Sequence, residues 1–234
     1  MAVEDNVRPL PKREGLRRGI YLLPNLITTG ALFAGFYSII AAMSEDLELA
    51  AIAIVIAGFL DALDGRIARL TNTQSEFGVQ YDSLSDLVAF GVAPAVLMFS
   101  WILSDLGKVG WLVAFLYMAC AALRLARFNT APDAKVFYGL ASPAAAGTMA
   151  TTVWTWSDNM GQAVGLELAV PLAIVTSLIA LLMVSNVRYY SPKHIDLNGR
   201  VPFFYMFVIV VLFGVVTVYP PGMLLLIGIV YTVS

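Results

Sequence analysis

The sequence predicts an all-α integral membrane protein of about eight transmembrane helices, with a polar cavity facing the cytoplasm. Three observations predict it. Hydrophobic residues make up 59% of the 234 positions and charged residues only 13%, far from the balance of a water-soluble domain. Long apolar stretches recur along the whole chain, separated by short polar breaks. Lysine and arginine gather in alternate breaks, as the positive-inside rule requires of a polytopic protein.

The apolar stretches fall at roughly 20–44, 48–68, 80–104, 108–128, 141–157, 165–187, 201–219 and 220–234. A spanning helix needs about 20 residues, so the fifth and eighth stretches are short. The run "RPLPKREGLRRG" precedes the first. That stretch is too long for a signal-peptide core and lacks a small-residue cleavage site, so a retained helix is expected. Residues 1–19 form a cytoplasmic juxtamembrane segment in this reading, of which 12–20 suit a short amphipathic helix at the headgroups. Residues 20–234 form a single transmembrane domain.

Charge sets the expected orientation. With a cytoplasmic N-terminus, Arg8, Lys12, Arg13, Arg17 and Arg18 lie inside, followed by Arg66 and Arg69, then Arg124, Arg127 and Lys135, then Arg188, Lys193 and Arg200. Lys108 alone lies outside. Both termini are therefore expected in the cytoplasm of a multi-pass protein of the inner, cytoplasmic cell membrane. The cations serve topology and lipid headgroups, and no nucleic-acid partner is expected. The single cysteine, Cys120, excludes an intramolecular disulfide. Trp101, Trp111, Trp154 and Trp156 sit near predicted outer ends and suit interfacial anchors.

Four aspartates break this apolar pattern. Asp61 and Asp64 are spaced i, i+3, and Asp82 and Asp86 are spaced i, i+4, so each pair shares one helical face. A turn around "TNTQSEFG" lies between them, which brings both pairs to the same cytoplasmic depth. Four neighbouring carboxylates cannot all stay ionised without cations. Oxygen-only ligation selects a hard ion, Mg²⁺ or Mn²⁺, with Ca²⁺ also suited. Two such ions would balance the charge and leave positions for phosphate oxygens. Gly65 and Ala68 remove bulk beside the aspartates, Arg69 offers a fork for phosphate, and Gly78 opens the returning helix. Carboxylates within a membrane also serve as proton or ion relays, and the two pairs alone leave both readings open.

The full spacing, D-x2-D-G-x2-A-R-x8-G-x3-D-x3-D from Asp61 to Asp86, resembles the signature of the CDP-alcohol phosphotransferase family without a departure. Further stretches, "PNLITTGALFAGFYSI", "LRLARFN", "GLASPAAAG" and "SNVRYYSPK", resemble the bacterial-type members that transfer to serine. The resemblance implies an enzyme taking CDP-diacylglycerol and L-serine as substrates and releasing CMP, embedded in membrane lipid, commonly as a homodimer. It implies that Asp61 and Asp82 bridge two divalent cations, that Asp64 and Asp86 complete one each, and that Asp86 is the general base. Gly65, Ala68, Arg69, Ser75 and Gly78 would line the CDP site, with Asn25 and Thr28 nearby.

Serine carries a carboxylate, which calls for a cation in the acceptor pocket. Arg124 and Arg127 with Asn129 are one candidate set, Arg188 and Lys193 another, and each cation is equally suited to anchoring at headgroups. His194 reads as a solvated loop residue. Another acceptor (glycerol 3-phosphate, inositol phosphate or choline) is the alternative within the class. Outside the class the alternative is a cation or proton transporter, against which the clustering of the aspartates at one membrane face counts.

Overall fold

The computed structural model describes residues 14–71, 75–130, 139–160, 165–187, 214 and 216–233, with side chains from Leu23 onward. The described residues are helical and include no strand. Helix α1 runs over Glu14–Met43, α2 over Leu47–Thr71 and α3 over Glu76–Asp86. A π-helical turn over Leu87–Val92 leads into α4, Ala93–Trp101. A short 3₁₀ turn, Leu103–Leu106, precedes α5 at Lys108–Thr130. Helix α6 spans Ser142–Met160, α7 Leu166–Val184 and α8 Pro220–Val233. The expected stretch at 201–219 lies mostly outside the described residues, as do Lys135, Arg188, Lys193, His194 and residues 1–13.

Four of these helical runs are long and apolar enough to cross a membrane: Leu23–Met43, Glu76–Trp101, Lys108–Thr130 and Leu166–Val184. The outer surface agrees. Leu26, Phe33, Phe59, Leu70 and Leu112 are more than half exposed, the reverse of a water-soluble protein and the arrangement lipid demands. Small side chains recur through the interior beside the larger ones. Ala50, Ala51, Ala57, Ala89, Ala93, Ala145, Ala146 and Ala150 are wholly buried, which lets helix backbones approach where no hydrophobic effect drives them together.

A tight turn through Ser44–Asp46, with Glu45 at φ 63°, folds α1 and α2 into a hairpin, and the two pack along their length. The far side of α1 packs on α3, the π turn and α4. Thus α1 packs on both aspartate-bearing segments, which also meet each other where α2 reaches the π turn and α4. Helix α6 packs on α2 and α8, and α5 on α7. Helix α1 is continuous from Glu14, so the segment expected as a separate juxtamembrane helix runs straight into the first span from there.

Two features differ from the sequence expectation. The third apolar stretch is not one α-helix, because the π turn divides it; Pro94 lies at the start of α4, where its ring crowds the carbonyl four residues back in an α-helical register. Trp101 is no interfacial anchor: it is 6% exposed and meets Trp156 edge to face at 6.2 Å between ring centroids. Trp111, at 55% exposure, keeps the expected surface position.

Candidate active site

Helix α2 is apolar up to Phe59 and Leu60, then presents Asp61 and Asp64 on one face. Helix α3 begins at an N-cap, Ser75, whose hydroxyl accepts a hydrogen bond from the Gly78 amide at 3.0 Å. That cap fixes where the helix starts and therefore which way Asp82 and Asp86 face. Carboxylate oxygens of Asp61, Asp64 and Asp82 lie within 4.8 Å of one another. Asp86 stands side chain to side chain with Asp61 and feels the charge of all three. All four aspartates singled out by their spacing are therefore brought together, two from each helix.

The cluster is half-buried to buried, with Asp64 only 4% exposed. A hydroxyl partner crosses from α1: Thr28 Oγ1 donates to Asp64 Oδ2 at 2.7 Å. Thr28 is itself buried, and its carbonyl accepts from Ser85 Oγ at 3.2 Å. Thr28 so joins the carboxylate-bearing helices α2 and α3 through α1. Its hydroxyl holds a carboxylate, and that role was not legible in the sequence, where 36 residues separate the partners.

The donor set fits a hard divalent cation. It is all oxygen, its atoms converge from two helices, and Asp82 Oδ1 is buried without a hydrogen-bond partner. An orphaned carboxylate oxygen in such a place is costly unless a cation meets it. The four carboxylates would hold such ions, with Thr28 orienting Asp64.

The other expected residues fall around this cluster in distinct ways. Gly65 and Ala68 stay on the α2 face next to it, half-buried. Arg69 is exposed, and its Nε donates to the Gly65 carbonyl at 2.8 Å, which leaves the far end of its guanidinium at the open rim. Asn25 comes from α1 to the start of α3: a Cβ on Gly78 would lie 3.3 Å from Asn25 Oδ1 and 3.1 Å from Ser75 Oγ. Asn25, Ser75 and Gly78 thus form one polar group at the start of α3.

The arginines of α5 separate clearly. Arg124 is 8% exposed, donates from Nη1 to Ser142 Oγ at 2.9 Å and leaves Nε without a partner. Its guanidinium carbon lies 5.2 Å from the Phe128 ring centroid, and it is close enough to Asp86 to feel that charge. Arg127 is exposed and donates from Nη2 to Asn186 Oδ1 at 3.0 Å, past the end of α7. Asn129 is exposed as well, and its amide exchanges hydrogen bonds with Ser83 Oγ on α3 at 3.1 and 3.2 Å.

The family model of CDP-alcohol phosphatidyltransferases matches residues 21–175, from within α1 through the middle of α7. Among similar proteins, a CDP-diacylglycerol–serine O-phosphatidyltransferase of Helicobacter pylori is 37% identical over 197 residues, which is 83% of this chain and 80% of that protein. One of the same name from Bacillus subtilis is 33% identical over 74% of this chain and 92% of its own length. An archaetidylserine synthase of Methanothermobacter thermautotrophicus is 34% identical over 71% of this chain and 69% of that protein. The matched region contains both aspartate pairs and the helix that ties them together, and the chain belongs to the CDP-alcohol phosphatidyltransferase family.

Proposed function

We propose that this enzyme transfers the phosphatidyl group of CDP-diacylglycerol to the hydroxyl of L-serine, giving phosphatidylserine and CMP. The convergence of Asp61, Asp64, Asp82 and Asp86 into one cluster, in the family's spacing, carries the reaction class. The acceptor follows from the relatives, whose names share serine while their lipid halves differ.

In the transfer, the serine oxygen bonds to the lipid-side phosphorus of the pyrophosphate as the bond from that phosphorus to the CMP oxygen breaks. Asp86 takes the hydroxyl proton; a base so placed contributes about 10²–10⁴-fold. Asp61, Asp64 and Asp82 would hold the cations that offset the charge of the pyrophosphate. Two divalent cations, Mg²⁺ or Mn²⁺, would supply charge neutralisation for the phosphate oxygens. Asn25, Ser75, Gly78, Gly65, Ala68 and Arg69 form the donor side. Arg124 takes the serine carboxylate: it is a buried cation with an unpartnered Nε–H, whereas Arg127 and Asn129 are exposed and hydrogen-bonded to Asn186 and Ser83. Arg188 and Lys193 remain the rival acceptor site.

The same reading places eight spans in the inner cell membrane, with residues 20–234 as one domain, both termini and the site on the cytoplasmic side, and two copies as a homodimer. The orientation is supported by charge sidedness and by a site where lipid chains stay in the bilayer while cytidine stays in water; the homodimer rests on the family resemblance alone.

The purified protein, incubated with CDP-diacylglycerol and a panel of serine, serinol, ethanolamine, choline, inositol phosphate and glycerol 3-phosphate, should release CMP efficiently with serine alone. EDTA should abolish the release, and Mg²⁺ or Mn²⁺ should restore it. Release with another alcohol in preference to serine would overturn the acceptor, and full activity after metal stripping would overturn the cation-dependent site.

A further inference from the structure

The π turn over Leu87–Val92 starts at the residue after Asp86, with the Ala93 amide donating five residues back to the Val88 carbonyl. A π turn holds one residue more than an α turn, so the helix beyond it is offset by about 100° from an unbroken α register. This offset reconciles two demands on one span. Asp82 and Asp86 must face the carboxylate cluster, while Ala93, Leu97, Met98 and Trp101 are buried in the core.

Three contacts hold the turn. Gly35 of α1 lies against it so closely that a Cβ there would fall 2.7 Å from the Ala89 Cα and 3.1 Å from its amide nitrogen. Gly91 meets α5, where a Cβ would lie 3.3 Å from that of Ala121. The third contact is polar. In an α register Phe90's carbonyl would receive the amide of residue 94, but that residue is proline and has none. The hydroxyl of Tyr117 on α5 donates to this carbonyl at 3.3 Å. Tyr117 and Phe90 are each 1% exposed, so no solvent can replace that bond.

If the turn relaxed, α4 could not rotate, because its side chains are locked in the core. Helix α3 would have to rotate instead, since Phe77, Val79 and Leu84 on it are exposed and resist less. Asp86 adjoins the turn and would be displaced first.

We propose that the π turn, clamped between Gly35 and Tyr117, aims Asp86 at the carboxylate cluster, and that Tyr117 is a positioning residue for the transfer. The inference rests on Asp86 acting as the base. Tyr117→Phe removes only the hydroxyl. In the full-length enzyme it should lower kcat about tenfold while leaving KM for CDP-diacylglycerol and for serine within about twofold, the pattern of a group needed in the transition state and not for binding. Added to Asp86→Asn it should cost nothing further, because residues acting through one group are not additive. Hydrogen exchange of the 87–92 amides should quicken in Tyr117→Phe while α7 is unchanged, a readout independent of turnover. Gly35→Ala should reproduce the kcat loss, and Gly30→Ala, whose Cβ would meet Leu60 at an ordinary 3.5 Å, should not. Near-wild-type kcat in Tyr117→Phe, or a full multiplicative loss on the Asp86→Asn background, would overturn the positioning role. Near-wild-type turnover in Asp86→Asn alone would instead remove the base assignment beneath it.

Discussion

At the scale of single residues, the cluster divides its labour by burial and partner. Asp64 is the least exposed of the four aspartates and has a hydroxyl on it; Asp86 meets Asp61 side chain to side chain. Asp86→Asn should lose two or more orders of magnitude in turnover and keep most donor binding, since three carboxylates remain. Asp61→Asn and Asp82→Asn should weaken cation and donor binding together. Thr28→Val keeps shape and deletes the hydroxyl, so it should raise the Mg²⁺ concentration for half-maximal activity about tenfold, the usual cost of losing a group that orients a ligand. An unchanged Mg²⁺ dependence would leave Thr28 as packing alone. The aspartates were legible because a charge inside an apolar run is conspicuous at any distance. The bond from Thr28 to Asp64 was not, because a threonine in a membrane helix ordinarily bonds its own backbone, and the single hydroxyl proton here is shared with Pro24's carbonyl at 3.0 Å. Only the approach of α1 to α2 shows the second partner.

At the scale of elements, helix placement was legible and helix interruption was not. The apolar runs at 108–128 and 165–187 correspond to α5 at Lys108–Thr130 and α7 at Leu166–Val184, because hydropathy reports span length directly. The run at 80–104 hid the π turn, since a one-residue register change leaves total hydropathy untouched. Pro94 was the available signal, six residues after Val88 and within about one turn of Phe90. Helix α5 likewise shows what spacing cannot decide. Arg124 and Arg127 are i, i+3, yet one is buried on Ser142 and the other is exposed on Asn186. Arg124→Gln should therefore raise KM for serine about ten- to hundredfold, the worth of a charge-assisted bond, with little change for CDP-diacylglycerol. Arg127→Gln should change serine KM by less than about threefold. If the Arg124 change falls on the donor instead, that guanidinium belongs to the phosphates, and Arg188 or Lys193 takes the acceptor.

At the scale of the whole molecule, the hairpin of α1 and α2 separates two ends. The turn at Ser44–Asp46 closes one, and the aspartates occupy the last turns of α2 toward the other. If the carboxylates face the cytoplasm, Ser44 and Ser104 must lie outside and Thr130, at the end of α5, inside. All three are exposed, so a cysteine at each can be labelled without disturbing the core. The chain's own Cys120 is buried and should contribute little background. In intact spheroplasts a membrane-impermeant maleimide should label Ser44→Cys and Ser104→Cys at once, and Thr130→Cys only after permeabilisation. The opposite pattern would put the site on the outer face, away from cytoplasmic serine. Labelling of Ser44→Cys and Thr130→Cys from the same side would break the alternation itself, because three crossings separate the two positions: α2, the combined α3–α4 segment and α5. The positive-inside count would then describe headgroup anchoring and not topology, and the eight-span arrangement would have to be redrawn around the four runs long and apolar enough to cross by themselves.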